Sequence, residues 1–154
     1  MFCLQSIVIN PLRFILLIEK IVGGLAMELL SNVVGWFEIP VANMERAIKF
    51  YKTVFGFELQ RENMGDLDMA WFPFADVPGS PGSLVYHKEF YKPSTDGVLI
   101  YFTAQSGDLS NELAKVEPAG GKVLMQKKLI TEDIGYMGLF IDTEGNRIAI
   151  HSRG

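Results

Sequence analysis

Glu38 is the one charged residue in the stretch GWFEIPV, Gly35 to Val41, and Trp36 stands two residues before it. On a β-strand, positions two apart share a face, so an indole and a carboxylate are expected side by side. The indole offers a flat apolar wall on which a ligand can stack. The carboxylate must find a donor or water, because burial without one raises its pKa. A carboxylate so placed can act as a general base, and Glu38 is the one residue to which a catalytic role is assigned. The purely structural alternative is that Glu38 pairs with Arg147 or a lysine while Trp36 fills space.

Few other residues could do chemistry. His87 and His151 are the only histidines and Cys3 is the only cysteine. One cysteine excludes an internal disulfide and a cysteine-rich zinc site. For a lone histidine, a satisfied core or surface position is the ordinary role. No nucleophile–base pair, glycine-rich phosphate loop or nucleotide fingerprint is present.

The elements that must position Glu38 come in two copies. NMERAIKFYKTVFGFEL, from Asn43, and DLSNELAKVEPAGGKVL, from Asp108, lie 65 residues apart. Each starts with an N-cap residue, continues with apolar side chains at helical spacing (Met44, Ala47, Ile48, Tyr51 and Val54; Leu109, Leu113 and Val116), and ends at a glycine suited to a left-handed closing turn, Gly56 or Gly121. Strands are expected at 34–41, 57–62, 68–74 and 82–88 around the first helix. Around the second they are expected at 97–104, 122–128, 135–141 and 146–152, with turn-rich pieces between. The pattern is βαβββ twice over. A four-stranded sheet with one helix leaves its other face bare. Two copies can curve together, helices outside, into an α+β fold whose mixed sheets line a cleft. The domain is read as 30–154, with modules 30–88 and 97–152 and a linker at 89–96.

IPVANMERAIKFYKTVFGFEL near the start and IDTEGNRIAIHS at the end, within paired βαβββ modules, resemble the vicinal oxygen chelate superfamily, the group of glyoxalases, bleomycin-resistance proteins and extradiol dioxygenases. The similarity covers Leu30 to His151 and is closest to the glyoxalase-like branch. In that superfamily's metal enzymes four inward strand positions carry the ligands, and the resemblance puts these on Trp36, Tyr86, Leu99 and Ala149. None suits a divalent metal, so no metal and no cofactor are expected. The cleft is expected to bind a small organic molecule through Trp36, Glu38, Trp71, Tyr86, Tyr101 and His151. Met69, Met125 and Phe140 are further wall candidates. Phe90 and Tyr91 belong to a segment expected to serve as a linker, with a lid over the cleft or packing on its rim as the alternatives. Three functions stay open: a metal-independent binding protein or enzyme; a metal-dependent lyase, isomerase or dioxygenase; and a non-catalytic dimeric interaction protein.

The 154 residues carry 14 Lys and Arg against 18 Asp and Glu, a net charge of −4, with Lys127–Lys128 the only adjacent basic pair. That leaves no basic stripe for nucleic acid. The longest unbroken apolar run in the first thirty residues is Phe14–Ile18, far short of the about 20 residues that span a bilayer. No membrane or nucleic-acid partner is therefore expected, and with a single cysteine a reducing cytoplasm is the default location. Residues 1–29 read as an extension, with a short helix over 11–22 opened by Asn10–Pro11 and closed by Gly23–Gly24, or alternatively as sequence upstream of a start at Met27. A homodimer is expected, partly by analogy and partly because Phe50 and Phe55 look like apolar surface to spare.

Overall fold

Asn43 opens the first helix as its cap: its side-chain oxygen accepts from the Arg46 N–H at 2.9 Å. Gly56 closes it at φ +78°, a left-handed conformation that glycine adopts without a Cβ clash. In this computed structural model residues 34–56 and 58–154 are described. The extension at 1–29, its expected helix and the Met27 start lie outside them, as does Phe57.

Among the described residues the chain runs β1 (Phe37–Pro40), α1 (Met44–Phe55), β2 (Gln60–Met64), β3 (Leu67–Trp71), β4 (Gly82–Tyr86), β5 (Tyr101–Thr103), α2 (Leu109–Val116), β6 (Lys122–Thr131), β7 (Gly135–Ile141) and β8 (Arg147–Ser152). The strands make two four-stranded sheets, β1-β4-β3-β2 and β5-β8-β7-β6. In each, the first strand pairs in parallel with the last and the remaining pairs are antiparallel. The strand order is the same twice over, so the βαβββ repeat is a repeat of topology as well as of sequence. Helix α1 packs on β3 and β4, α2 on β6, β7 and β8, and the two helices touch.

Several details differ from the sequence expectations, and β1, for one, is four residues long rather than eight. Strand β5 is three residues long rather than eight. Strand β6 extends to Thr131 and carries register shifts against β7, which let it coil along its partner. The glycine in the left-handed conformation after α2 is Gly120, at φ +96°. Gly121 is needed for a different reason: a Cβ there would lie 2.6 Å from the Ile141 carbonyl oxygen and 2.7 Å from the Phe50 ring.

One aromatic core joins the two modules. Tyr51 lies 5.3 Å from Phe72 and 5.7 Å from Phe102, Phe55 lies 4.8 Å from Phe102, and Phe50 lies 5.9 Å from Phe140, between ring centroids. Phe50 and Phe55 are 1% and 5% exposed. They are spent inside the chain, on β5 and β7, and are not spare surface for a second copy. Phe140 is fully buried by the same contact, so it belongs to the helix side of its sheet and not to the opposite face where a wall residue would stand. Truncating a core ring of this kind typically costs about 3–5 kcal/mol.

The turn Asp142–Asn146 is the second joint. Glu144, its side chain fully covered, accepts from the Ala42 and Asn43 N–H groups at 2.9 and 2.8 Å and from Arg46 Nε and Nη2 at 2.7 and 2.9 Å. It thus satisfies donors at the start of α1 that have no partner within the helix, and its charge suits that end of the helix dipole. Asp142 accepts from the Tyr51 hydroxyl at 2.9 Å, and Asn146 Nδ2 donates to the Pro40 carbonyl at 2.8 Å. The second module's last turn is therefore bonded to the strand, cap and helix of the first.

Candidate functional site

Strand alternation divides each sheet into a helix-covered face and an opposite face. Phe37, Ile39, Leu84, Ala70 and Phe72 belong to the helix-side core. Trp36, Glu38, Ser83, Val85, Met69 and Trp71 therefore look the other way. In the second sheet Phe102, Ile148, Ile150 and Phe140 are core, which turns Tyr101, Ala149, His151, Leu139 and Met137 to the opposite face.

Three of these residues form a row. Glu38 on β1 is the register partner of Ser83 on β4, and Ser83 is the partner of Trp71 on β3. Above them the Trp36 and Trp71 rings meet edge to face, 5.6 Å between centroids and inclined at 75°. Since β4 lies between β1 and β3, the two indoles close over β4 where Ser83 stands, and Ser83 is 0% exposed. Its hydroxyl has no hydrogen-bond partner, and neither has Trp71 Nε1, which is also buried. They are the buried side-chain polar atoms left unpaired among the described residues.

Glu38 is held by the linker. The Tyr91 hydroxyl donates to Glu38 Oε2. That bond, together with partial burial and the nearby carboxylate charge, raises the Tyr91 phenol above its usual range. Glu38 makes no ion pair among the described residues, so neither Arg147 nor a lysine neutralises it.

The remaining expected residues separate. Tyr86 does not share the face of Trp36 and Glu38. It pairs with Asp68, and Asp68 is bonded to Arg61, which also binds Glu45 of α1. Tyr86 is thus on the helix side, at the strand end. Met125 sits beside Leu139 across a register shift. Tyr101 is half exposed, its hydroxyl 3.9 Å from Met137 Sδ, and it borders a cleft of about 670 Å³ between the 72–81 segment of the first module and β5 of the second, which Trp36, Glu38, Trp71, Tyr86 and His151 do not line. His151 shares the face of Tyr101, and its Nε2 lies 2.8 Å from the Ile134 carbonyl. His87 is a satisfied residue: Nδ1 accepts from the Glu89 and Phe90 N–H groups at 3.1 and 3.3 Å, and the ring stacks on Phe90.

Backbone bonds show which positions of the two modules correspond. The Val41 N–H donates to Val85 O, and the Ala104 N–H to His151 O, both at 2.9 Å. Val85 therefore matches His151 and, two residues earlier on the same face, Ser83 matches Ala149. By the same bonds Val41 matches Ala104, so Trp36 matches Leu99. The set matching the superfamily's ligand positions is Trp36, Ser83, Leu99 and Ala149, with Ser83 in the place that sequence counting gives to Tyr86. One hydroxyl, one indole N–H and two aliphatic groups do not fit a divalent metal. No group of three or more His, Cys, Asp or Glu close enough to hold a metal occurs among the described residues. Ser83 is the site residue that sequence reasoning passed over, and Tyr91, expected only as a lid or rim residue, is the one that holds Glu38. Ser83 is visible in retrospect as the one polar side chain of GSLVY when alternation is counted from Leu84.

Known proteins match this arrangement. A family model described as bleomycin resistance protein-like N-terminal matches residues 34–75. A glyoxylase-like domain-containing protein of Didymella fabae is 30% identical over 126 residues, covering 80% of this chain and 96% of that protein. Glyoxalase I from Zea mays has the same fold at a TM-score of 0.58 and 19% identity, over 77% of this chain and 45% of the maize chain. A glyoxalase/bleomycin resistance protein from Albidiferax ferrireducens T118 matches at 0.59 and 16% identity, over 80% of this chain and 100% of its own.

Proposed function

Because the chain belongs to the glyoxalase-like branch of the vicinal oxygen chelate superfamily, we propose that it binds a small organic molecule in the cleft between its two modules without a metal ion. The observation that carries this reading is the composition of the matched set. Where the superfamily's metal enzymes would be expected to place ligands, this chain has the indole of Trp36, the hydroxyl of Ser83, Leu99 and Ala149. Such a lining suits an apolar or aromatic body with a few fixed polar contacts, as small-molecule sites usually do. Glu38, on the same sheet face as Trp36 and Ser83 and tethered by Tyr91 rather than neutralised by a cation, is the group able to accept a proton from the bound molecule. In that role it would be a general base, with Tyr91 holding the carboxylate in place and returning a hydrogen bond as its charge changes.

The test is a fluorescence screen of organic ligands on chelator-stripped protein, with Trp36→Phe to separate the two indoles. Saturable quenching in the absence of metal, altered in Trp36→Phe, supports the reading. Binding that appears only when a divalent metal is restored overturns it.

A further inference from the structure

We infer that the face of the second sheet turned away from α2 binds a small carboxylate with an apolar body, its anionic end held by Arg147 and Lys122. This rests on the reading of the protein as one that binds a small organic molecule, and it names the charge and the seat of that molecule. Strand register lays the face out in rows. Lys122 on β6 pairs with Ile141 on β7, and Ile141 pairs with Arg147 on β8. Two residues away along β7, Met125 pairs with Leu139, Leu139 with Ala149, and Ala149 with Tyr101 of β5. Phe102, Phe140 and Ile148, which alternate with these residues, belong to the helix-side core, so both rows stand on the opposite face.

The first row has a cation at each end. Neighbouring strands lie about 4.8 Å apart, which sets Lys122 and Arg147 about 10 Å apart across Ile141. Both residues are exposed, and both side chains are long enough to reach a ligand group above Ile141. Arg46, Arg61 and Arg153 each donate to a protein oxygen. Arg147 is the one arginine among the described residues that does not, and neither it nor Lys122 belongs to an ion pair there. A guanidinium presents a planar fork of donors that takes a carboxylate through two parallel bonds, and the ammonium adds a second positive charge. The next row is apolar, with Met125 and Leu139 half-buried and Tyr101 exposed, and it offers a wall to the body of the ligand. Beyond it lie Lys128, Met137 and His151. No Asp or Glu stands in any of the three rows. A cation seated here would be repelled by Arg147 and Lys122, and an uncharged end would leave their charge unused.

The probes are 3-phenylpropanoate, 3-phenylpropanamide and 3-phenylpropylamine: one body with an anionic, a neutral and a cationic end. Binding is read by calorimetry and by the ¹³C methyl signals of the methionines. Met125 and Met137 report the second-sheet face and Met69 the first sheet, assigned by Met125→Leu, Met137→Leu and Met69→Leu. The acid should shift Met125 or Met137 saturably and bind at least about tenfold more tightly than the amide or the amine, the effect of a hydrogen bond to a charged group. Arg147→Gln and Lys122→Gln should each weaken the acid about five- to tenfold, while Lys49→Gln, at an exposed position of α1, should bind it like the wild type. All three residues are exposed, so equal urea midpoints check that each variant is folded. An amide that binds as tightly as the acid overturns the inference, as does undiminished binding of the acid in both Arg147→Gln and Lys122→Gln. If the acid shifts Met69 and neither Met125 nor Met137, the protein is a ligand binder but this seat is wrong. If no probe shifts a methyl signal up to its solubility limit, the inference falls by itself, and the broader ligand-binding reading falls with it only when the fluorescence screen is silent too.

Discussion

The Tyr91 hydroxyl donates to the Glu38 carboxylate, joining the linker between the modules to the first strand of the first sheet. Removing it with Tyr91→Phe leaves Glu38 without a protein donor and releases the segment that follows His87. The expected cost is about 1 kcal/mol, the ordinary net value of one hydrogen bond. Amide exchange at Glu89 and Phe90 should quicken, because their N–H groups rest on His87 in the same segment. Unchanged exchange there would mean that the linker is held by other contacts.

Glu144→Gln tests the joint between the modules. The carboxylate serves two backbone N–H groups and both ends of the Arg46 fork. An amide keeps one acceptor oxygen and turns an NH₂ toward the remaining donors. The expected loss is about 2–3 kcal/mol in urea denaturation, and Tyr51→Phe, which removes the bond to Asp142, should cost about 1–2 kcal/mol. Values near zero for both would show that the aromatic core alone holds the modules.

Acid should weaken the fold. The Lys127 ammonium, at 2.9 Å, and then the Ser110 N–H hold Asp108 down to about 2 from its ordinary 3.8. Burial pushes Glu144 upward, but the bonds from Arg46, Asn43, Ala42 and Thr143 outweigh it and leave the group below its ordinary 4.5. Both have folded values below their unfolded ones. The stability they add is present above the unfolded values and is lost as pH falls through about 4.5 toward 2. Asp142 runs the other way: burial raises it, so it favours the fold more as it takes up its proton. The urea midpoint should be flat near neutral pH and fall below about pH 4.5. Asp108→Asn should flatten the fall, and Asp142→Asn should steepen it. A midpoint that is level down to pH 3 in the wild type would contradict these assignments.

Metal titration of the stripped protein should be silent. Glu38 and His151 are the suitable donors nearest the matched set, and the ring nitrogen Nε2 of His151 is already placed against the Ile134 carbonyl. Calorimetry with zinc, nickel, manganese or iron(II) should show no stoichiometric site tighter than about micromolar, since two donors do not make one. Glu38→Gln and His151→Ala should match the wild type. A tight one-to-one heat lost in either variant would restore a metal centre.

How much of this is legible in the sequence differs between fold and site. Helix α1 is legible because Asn43, the apolar spacing from Met44 to Val54 and Gly56 all point to the same element. Strand faces are harder where both sides of a sheet are covered. Leu139 and Phe140 are both apolar, and only the contact of Phe140 with Phe50 and Phe55 decides which one faces the core. Tyr86 is misplaced by counting along the chain, because the spacing between equivalent residues changes from strand to strand. The backbone bonds of Val85 and His151 restore the match to Ser83. The Tyr91–Glu38 bond spans 53 residues, and no local pattern announces a partner that distant.

The most direct measurement of the central claim is native mass spectrometry of the full chain isolated under gentle conditions, before and after a chelator. The expected result is a retained organic species at up to one per chain, its mass unaffected by the chelator and its occupancy altered in Trp36→Phe. A stoichiometric divalent metal, or a bound organic molecule that leaves together with a metal when the chelator is added, would contradict it.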